Sequence, residues 1–211
     1  VTDSSEDNVI TTGDGDSTIN LWYGGKDTID AGSGTNTLNF SKASSAITVD
    51  LSKATGTVGS DALTIKNATN ITTIVGATDQ VNTITASDTS TTITGGNKKD
   101  VITGGAGVDT LSKSVTGGGT LNGEAGNDTL TATLGTIDAS HPLKIYGGKG
   151  NDIITLLEGA EIHYNEADYY SGDKYQDPGI WHTDTLYDYD KDTKIYLSTP
   201  DGTDLKTFNS L

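Results

Sequence analysis

The chain has 211 residues, of which 32% are hydrophobic and 6% aromatic, and its formal net charge is −16. Such an acidic chain lacks the clustered cations that phosphate binding requires, which argues against nucleic acid and against an anionic membrane surface as partners. It contains no cysteine, so disulfides and thiolate metal sites are excluded. No apolar stretch has the length of a membrane-spanning helix, so we expect no membrane insertion.

Three glycine-rich segments near the N-terminus are predicted to form turns that lead into short strands: TGDGDSTIN (12–20), YGGKDTIDA (23–31) and AGSGTNTLN (31–39). Each also carries an aliphatic residue within a β-favouring stretch. Asp14, Asp16 and Asp27 are candidate metal ligands, and Asn36 could offer an amide oxygen. Simple turn chemistry explains the same residues equally well, so both interpretations stay open.

Further along the chain, four segments align on one nine-residue template, Gly-Gly-x-Gly-x-Asp-x-aliphatic-x. Lys98 replaces the third glycine of the first segment, and Glu124 replaces the second glycine of the third. Such a period indicates a solenoid in which each repeat packs on its neighbours. The segments are GGNKKDVIT (95–103), GGAGVDTLS (104–112), GEAGNDTLT (123–131) and GGKGNDIIT (147–155).

One aliphatic residue recurs about every nine residues along most of the chain. A strand–turn–strand–turn path points each of them inward, onto the same position of the neighbouring coil. Two nonapeptides then make a coil of about 18 residues, so we predict an all-β, right-handed parallel β-roll. A helix is disfavoured because each glycine in it would cost roughly 1 kcal/mol. The predicted ladder comprises Ile10, Ile19, Ile29, Leu38, Ile84, Ile93, Ile102, Leu111, Leu121, Leu130, Ile145 and Ile154.

The glycines and the aspartate of each repeat suit a hard cation such as Ca²⁺, which takes six to eight oxygen ligands from carboxylates and backbone carbonyls. Glycine lets carbonyls turn inward because it accepts positive φ and has no side chain, and the aspartate supplies negative charge. The predicted ligands are Gly104, Ala106, Gly107, Asp109, Gly123, Ala125, Gly126, Asp128, Gly147, Lys149, Gly150 and Asp152, with Gly95, Asn97 and Asp100 as further candidates.

Loops two repeats apart are predicted to stack on the same edge of the roll. We expect one ion between the 104–109 and 123–128 loops, and a second between the 123–128 and 147–152 loops. The second pair requires an insertion of about six residues beyond one coil, which the stretch around His141 and Pro142 supplies.

The 95–100 loop lies on the other edge. Its coil partners there, TDQVN (78–82) and VTGGG (115–119), match the template poorly.

The chain changes character at about residue 158, so we predict a β-roll over residues 1–157 and a Tyr-rich subdomain over residues 158–211. Within the roll, residues 1–94 hold degenerate repeats and residues 95–157 well-formed ones. A cap over the exposed sheet edge is one interpretation of the C-terminal part. A glycan-binding face is the other, because tyrosine and tryptophan stack on sugars. A scattered set of acids and histidines there gives no firm catalytic or transition-metal pattern, and we expect no enzyme activity: Glu161, His163, Glu166, Asp168 and His182.

These repeats resemble those of RTX (repeats-in-toxin) β-roll proteins, strongly over about 95–155 and through the phased aliphatic residues over most of 1–157. Residues 46–87 look like the degenerate linking coils of long RTX adhesins and surface-layer proteins. The resemblance implies type I secretion from a Gram-negative bacterium, with a chain that stays unfolded at low cytosolic calcium and folds outside the cell.

We therefore expect a calcium-binding structural module of a large secreted or cell-surface protein of the adhesin or surface-layer type. One alternative is the secretion and folding module of a type I-secreted enzyme or toxin, and another is a glycan-binding surface lectin. The candidate partners are cell-surface lipopolysaccharide or other glycans, neighbouring copies of the chain, and flanking domains of a longer protein.

Overall fold

The computed structural model describes residues 1–136 and 140–156, and four strand segments beyond them: 161–165, 185–187, 194–198 and 204–209. This part of the chain consists of strands and turns, with one short 3₁₀ turn at Ala68–Asn70 and no α-helix. No helix in these residues is long and apolar enough to cross a bilayer.

The strands are short, and many of them are followed by a glycine-rich turn. Their bounds are β1 Val9–Thr11, β2 Ser17–Asn20, β3 Asp27–Asp30, β4 Asn36–Asn39, β5 Ile47–Asp50, β6 Thr55–Val58, β7 Asp61–Lys66, β8 Ile71–Val75, β9 Asn82–Thr85, β10 Thr92–Thr94, β11 Asp100–Gly105, β12 Thr110–Ser114, β13 Gly119–Glu124, β14 Thr129–Thr133, β15 Leu143–Tyr146, β16 Ile153–Leu156, β17 Glu161–Asn165, β18 Thr185–Tyr187, β19 Lys194–Ser198 and β20 Asp204–Asn209.

These strands form two sheets. The larger has twelve strands in the order β1-β3-β7-β6-β5-β9-β11-β13-β15-β17-β19-β20, and the smaller has eight in the order β18-β16-β14-β12-β10-β8-β4-β2. From β8 to β19, successive strands alternate between the sheets, so each coil gives one strand to each sheet. Almost all neighbours are parallel, which confirms the all-β, parallel coiled architecture; its right-handed sense stays a prediction.

The predicted aliphatic ladder forms the core. Ile93 of β10 pairs in register with Leu111 of β12. Leu130 of β14 continues the row between Leu111 and Ile154 of β16. All four side chains are fully buried. Since burying such a side chain is worth about 1.5–3 kcal/mol, a narrow row of them can hold successive coils together.

The outward positions beside this ladder carry polar β-branched residues, which favour an exposed strand. A row of paired threonines runs along six neighbouring strands of the eight-stranded sheet, from β2 to β14, and ends where Thr129 pairs with Ile153 of β16: Thr18, Thr37, Thr73, Thr92, Thr110 and Thr129.

Shortening a ladder residue should destabilise the roll far more than shortening its outward neighbour. We expect Ile93→Ala to lower the free energy of unfolding by about 2–5 kcal/mol, because it removes buried methyl groups and leaves a cavity. The adjacent exposed residue gives a matched control, since Thr92→Ala should change stability by only about 0.5 kcal/mol. Urea unfolding at saturating calcium measures both, and equal costs for the two variants would contradict an inward-facing ladder.

Residues 47–66 depart from the degenerate repeat coils that the sequence predicts for this part of the chain. β5, β6 and β7 form an antiparallel meander within the larger sheet, whereas β4 pairs directly with β8 in the smaller one. Tight turns allow the two reversals, with positive φ at Ala54 between β5 and β6 and at Gly59 between β6 and β7. The prediction that degenerate repeat coils continue through this segment is therefore wrong over these residues, because turns without the repeat template reverse the chain instead of advancing it.

The insertion expected before the last good repeat lies between β14 and β15. Gly119 of β13 pairs with Leu143 of β15, and Thr129 of β14 pairs with Ile153 of β16, so both register steps skip the additional residues. Pro142 and His141 lie at the end of this insertion. The ladder thus resumes in register after it.

Backbone pairing continues past residue 157. β17 pairs with β15, β18 with β16 and β19 with β17, all parallel, while β20 returns antiparallel on β19. Glu166, Asp168, His182 and most of the tyrosine-rich segment lie outside the described residues. The cap, the glycan-binding face and the domain boundary at residue 158 stay predictions.

Candidate calcium sites

The structure brings Asp109, Asp128 and Asp152 together on one edge of the roll. Asp128 Oδ1 accepts a hydrogen bond of 2.8 Å from the backbone N–H of Asp109, and Asp152 Oδ1 accepts one of 2.8 Å from the N–H of Asp128. Asp109 Oδ1 in turn accepts one of 2.7 Å from the N–H of Thr91. Each aspartate is 1% exposed, so the three form a buried carboxylate ladder that runs from coil to coil.

The second carboxylate oxygen distinguishes these residues from ordinary turn aspartates. Oδ2 of Asp109 and Oδ2 of Asp128 are buried, and neither accepts a hydrogen bond from any described residue. Leaving a buried polar atom unsatisfied costs about 1–3 kcal/mol, and more when it is charged. These atoms therefore require a ligand that carries positive charge or donates a proton.

Backbone carbonyls from the next loop approach the same places. A methyl group built on Gly104 would lie 2.6 Å from Asp109 Oδ2 and 2.7 Å from the carbonyl oxygen of Gly123. One built on Gly123 would lie 2.3 Å from Asp128 Oδ2 and 2.3 Å from the carbonyl oxygen of Gly147. Carboxylate and carbonyl oxygens of adjacent loops thus converge beside each first glycine, and this oxygen-only donor set fits Ca²⁺.

The backbones of adjacent loops also touch at the fourth position of the repeat. A methyl group on Gly126 would lie 1.9 Å from the carbonyl oxygen of Gly107. Of the third-position carbonyls, that of Lys149 accepts a hydrogen bond of 2.8 Å from the N–H of Gly126. The loops are therefore held together by backbone contacts, and glycine is required where they touch.

Carboxylates alone do not build a metal site here. No group of three or more acidic, histidine or cysteine side chains converges in the described part of the chain. An ion between these loops would therefore take a carboxylate from each loop and most of its remaining ligands from backbone carbonyls. This division of ligands is the one that the repeat pattern predicts.

Burial makes the ladder electrostatically unfavourable without a cation. It raises the pKa of Asp128 to about 7, with smaller contributions from the charges of Asp152 and Asp109, while the hydrogen bond from Asp109 opposes the shift. Burial raises the pKa of Asp109 as well, against the hydrogen bond from Thr91. Near neutral pH the Asp128 carboxyl therefore still retains its proton in part of the molecules, unless a cation replaces that proton.

Calcium-free stability should therefore fall as the pH rises from about 4 to about 7. In that window the folded chain keeps the Asp128 proton, since its pKa is about 7 rather than the ordinary 3.8. The unfolded chain has lost the proton, so each step up in pH favours unfolding. Urea unfolding of metal-stripped protein across this range tests the sign. The Asp128→Asn variant should show a flatter profile, and a wild-type stability that rises with pH would contradict the assignment.

Glu124 occupies a glycine position of the repeat in a left-handed conformation. Its φ is 74°, whereas its counterparts Gly105 and Gly148 have φ values of 113° and 101°. A side chain in this region costs roughly 1–2 kcal/mol. We expect Glu124→Gly to stabilise the chain by about 1 kcal/mol in thermal unfolding, and the neighbouring Ala125→Gly, which relieves no positive φ, to destabilise it. A destabilised Glu124→Gly variant would contradict this account.

Asp100, on the other edge, is satisfied by the protein itself. Its Oδ1 accepts hydrogen bonds of 2.9 Å from both the N–H and the side-chain amide of Asn82, and its Oδ2 accepts one of 2.7 Å from Gly96 N–H. Gly95 and Asn97 use their N–H groups to bond neighbouring coils. The 95–100 loop therefore presents no orphaned carboxylate oxygen, unlike the Asp109 and Asp128 loops.

Sequence reasoning missed Lys113, which is 1% exposed on β12. Its amino group donates hydrogen bonds of 2.7 Å to the carbonyls of Ser114 and Gly118 and a weaker one of 3.4 Å to that of Thr116. Burial lowers the pKa of Lys113, and the charge of Asp100 opposes this. The sequence feature that could have identified Lys113 is its inward-facing strand position, two residues after Leu111.

At the N-terminus, Asp14 and Asp16 are exposed and bond to the next coil. Asp14 accepts a hydrogen bond of 3.0 Å from the Ser33 hydroxyl, and Asp16 accepts one of 2.8 Å from the N–H of Thr35. The hydrogen bonds from Thr35 lower the pKa of Asp16. These contacts match the turn-forming interpretation of both residues.

Asp27 is placed differently, since it is 3% exposed and accepts a hydrogen bond of 2.8 Å from the N–H of Asn8 in the preceding coil. Burial raises its pKa, and the charges of Asp3, Asp7 and Asp61 raise it further. It thus repeats the geometry of the carboxylate ladder, and its role as a metal ligand stays a prediction.

A family model described as the RTX calcium-binding nonapeptide repeat matches four times, at residues 2–38, 85–112, 115–136 and 144–160. The antiparallel meander at residues 47–66 lies outside all four matches, in agreement with its different structure. No curated protein matches the chain.

Proposed function

The chain belongs to the proteins built from RTX calcium-binding nonapeptide repeats, and we propose that it is a non-catalytic, calcium-stabilised structural module of a larger exported bacterial protein. RTX nonapeptide repeats bind Ca²⁺. The observation that carries the proposal is the buried carboxylate ladder, in which Oδ2 of Asp109 and Oδ2 of Asp128 lie beside carbonyl oxygens and find no hydrogen-bond donor among the residues that the structure describes.

The ions would lie between stacked loops, one between the 104–109 and 123–128 loops and one between the 123–128 and 147–152 loops. When bound, Ca²⁺ supplies the positive charge that the buried carboxylates lack. The loops contribute ligands in fixed positions, because the N–H of one aspartate orients the carboxylate of the next. Binding free energy gained only in the folded state then becomes folding free energy.

Calcium dependence gives the module a switch suited to export. RTX repeats typically belong to type I-secreted proteins of Gram-negative bacteria, and a chain of net charge −16 repels itself when no cation is bound. Low calcium inside the cell would keep the loops open for secretion, and higher calcium outside would close them. The location we propose is therefore extracellular or on the cell surface.

Within that setting, we propose an adhesin or surface-layer role, in which the roll acts as a rigid spacer. The unbroken ladder of Ile93, Leu111, Leu130 and Ile154 supports this role, because each coil is fixed to the next along its length. Flanking domains of a longer chain would be its immediate partners. Surface glycans such as lipopolysaccharide, or neighbouring copies of the module, would be its external ones.

Circular dichroism and thermal melting of metal-stripped protein, during a calcium titration, test the proposed switch. We expect strand signal and melting temperature to rise with calcium and to respond much less to magnesium, which binds poorly to flexible carbonyl-rich loops. Full strand content without calcium, together with a melting temperature that calcium leaves unchanged, would rule out calcium-driven folding.

A further inference from the structure

Two asparagines take the place of the repeat aspartate in loops that lack a carboxylate ladder. Asn36 ends the 31–36 loop, and Asn82 ends the 77–82 loop. Both side chains are fully buried. Asn36 Oδ1 accepts a hydrogen bond of 3.1 Å from the N–H of Ser17, one coil earlier. This bond is the same contact that Asp128 makes with Asp109.

The amide nitrogens of these asparagines occupy the position of the orphaned aspartate oxygens. Asn36 Nδ2 donates to the carbonyls of Ala31 at 2.7 Å and Gly34 at 2.6 Å, and approaches that of Asn70 in the next coil at 3.3 Å. Its donor group thus bridges two stacked loops, as a metal ion between them would.

On the other edge, Asn82 uses its Nδ2 in the same way, while its Oδ1 accepts a hydrogen bond of 2.7 Å from the N–H of Ala77 within its own loop. Its Nδ2 lies 2.9 Å from the carbonyl oxygen of Ala77 and 3.2 Å from that of Gln80, and 2.9 Å from Asp100 Oδ1 in the next coil. The two carbonyls lie five and two residues before the asparagine, the same offsets as in the Asn36 loop. In the Asp128 loop these offsets fall on Gly123 and Gly126.

A third loop uses Lys113 instead of an amide. Its buried amino group donates to the carbonyls of Ser114 and Gly118, and the carboxylate of Asp100 in the neighbouring coil provides the opposite charge. Here too a nitrogen donor fills the centre of a loop whose carbonyls turn inward.

We propose that Asn36, Asn82 and Lys113 replace calcium with internal nitrogen donors. The coils over residues 31–103 then close without metal, whereas the 104–109, 123–128 and 147–152 loops require it. The chain is thus divided into a calcium-independent segment and a calcium-dependent one. In the calcium-independent segment β10 and β11 are already formed. They provide the strand edges on which β12 and β13 of the calcium-dependent coils then pair. This inference rests on the proposed calcium binding of the aspartate loops.

Substitutions in both directions test whether an internal nitrogen donor and a calcium ion replace each other in these loops. Asn36→Asp removes two amide hydrogens and places a carboxylate oxygen against the carbonyls of Ala31 and Gly34. Asp128→Asn does the reverse, giving Gly123 and Gly126 an amide donor. Asn20→Asp is the matched control for charge, because Asn20 lies on the outward side of β2, in the preceding coil. Its Nδ2 donates to the Thr2 hydroxyl, and its Oδ1, which the substitution keeps as an acceptor, accepts a hydrogen bond of 2.9 Å from the Asn39 amide.

Hydrogen–deuterium exchange with mass spectrometry measures the protection of the backbone amides in each segment separately. It is carried out once with a calcium chelator and once in millimolar calcium. In chelator, wild-type β8 to β10 should exchange slowly and β12, β14 and β16 quickly. Asn36→Asp should speed exchange of β2 and β4 by about tenfold or more in chelator. Calcium should restore their protection, and the variant should bind one additional ion. Asp128→Asn should bind fewer ions than wild type and should protect β12 and β14 better in chelator.

Failure of the proposed replacement and failure of the proposed function would give different exchange results. If Asn36→Asp exchanges at the same rate as Asn20→Asp in chelator, or if calcium does not slow its exchange, the proposed replacement of calcium by nitrogen donors is wrong. Either result would leave calcium binding at the aspartate loops intact. Wild-type exchange that calcium changes nowhere would instead overturn the proposed function.

Lys113 is tested in the same experiment. Lys113→Met should speed exchange of β11 and β13 in chelator, because the carbonyls of Ser114 and Gly118 lose their donor, whereas Lys99→Met on the exposed side of the preceding loop should not. Unchanged exchange in Lys113→Met would remove Lys113 from the proposal.

Discussion

Replacing Asp128 with alanine should weaken calcium binding by about 100-fold or more, equivalent to about 2.8 kcal/mol. Asp128 lies in the loop shared by both proposed ion sites, so the substitution removes one carboxylate from each. It also deprives the N–H of Asp109 of its acceptor. Isothermal titration calorimetry of metal-stripped protein measures the affinity and the number of ions bound.

Asp100→Ala provides the matched comparison, because Asp100 is an equally buried repeat aspartate on the other edge. Its loss leaves the N–H groups of Asn82 and Gly96 without an acceptor and removes the charge opposite Lys113. We expect it to cost about 3 kcal/mol of stability with or without calcium. Calcium affinity should stay near the wild-type value. A loss of affinity as large as that of Asp128→Ala would show that the two edges bind metal alike.

Gly126→Ala should be strongly destabilising, by about 3–5 kcal/mol. Gly126 has a φ of 151°, and a methyl group there would lie 1.9 Å from the Gly107 carbonyl oxygen and 2.9 Å from Asp128 Oδ1. Neither the backbone of the adjacent loop nor the anchored carboxylate can move without breaking the stack. Steric overlap and backbone strain therefore add to each other.

Gly15→Ala is the control for this substitution, since a methyl group on Gly15 would meet nothing within 4 Å. It should change stability by about 0.5 kcal/mol or less. Urea unfolding at saturating calcium compares the two variants, and similar midpoints would mean that the stacked loops are not in contact at Gly126.

The regular half of this structure could be predicted from the sequence because its signal is local and periodic. Ile93, Leu111 and Leu130 recur at the period of one coil, and that period alone places them inward and in register. The same period places Asp109 over Asp128, since glycine turns and inward aliphatic residues keep each loop the same length.

The irregular half could not be predicted, because it depends on which segments become neighbours in space. The meander at residues 47–66 contains no repeat template, and its antiparallel pairing is a tertiary outcome. Asn82 is an unremarkable turn residue in sequence, and its role emerges only when Asp100 stacks on it. Lys113 likewise gains its role from the carbonyls of the loop that follows it.

The most direct test of this account is the location of calcium in a crystal of the calcium-loaded protein. Anomalous difference density, measured at a wavelength where calcium scatters anomalously, marks the ions independently of any assumption about ligands. We predict one peak between the Asp109 and Asp128 loops and a second between the Asp128 and Asp152 loops, with none beside Asn36, Asn82 or Lys113. A calcium-loaded crystal with no peak beside Asp128 would contradict the central claim.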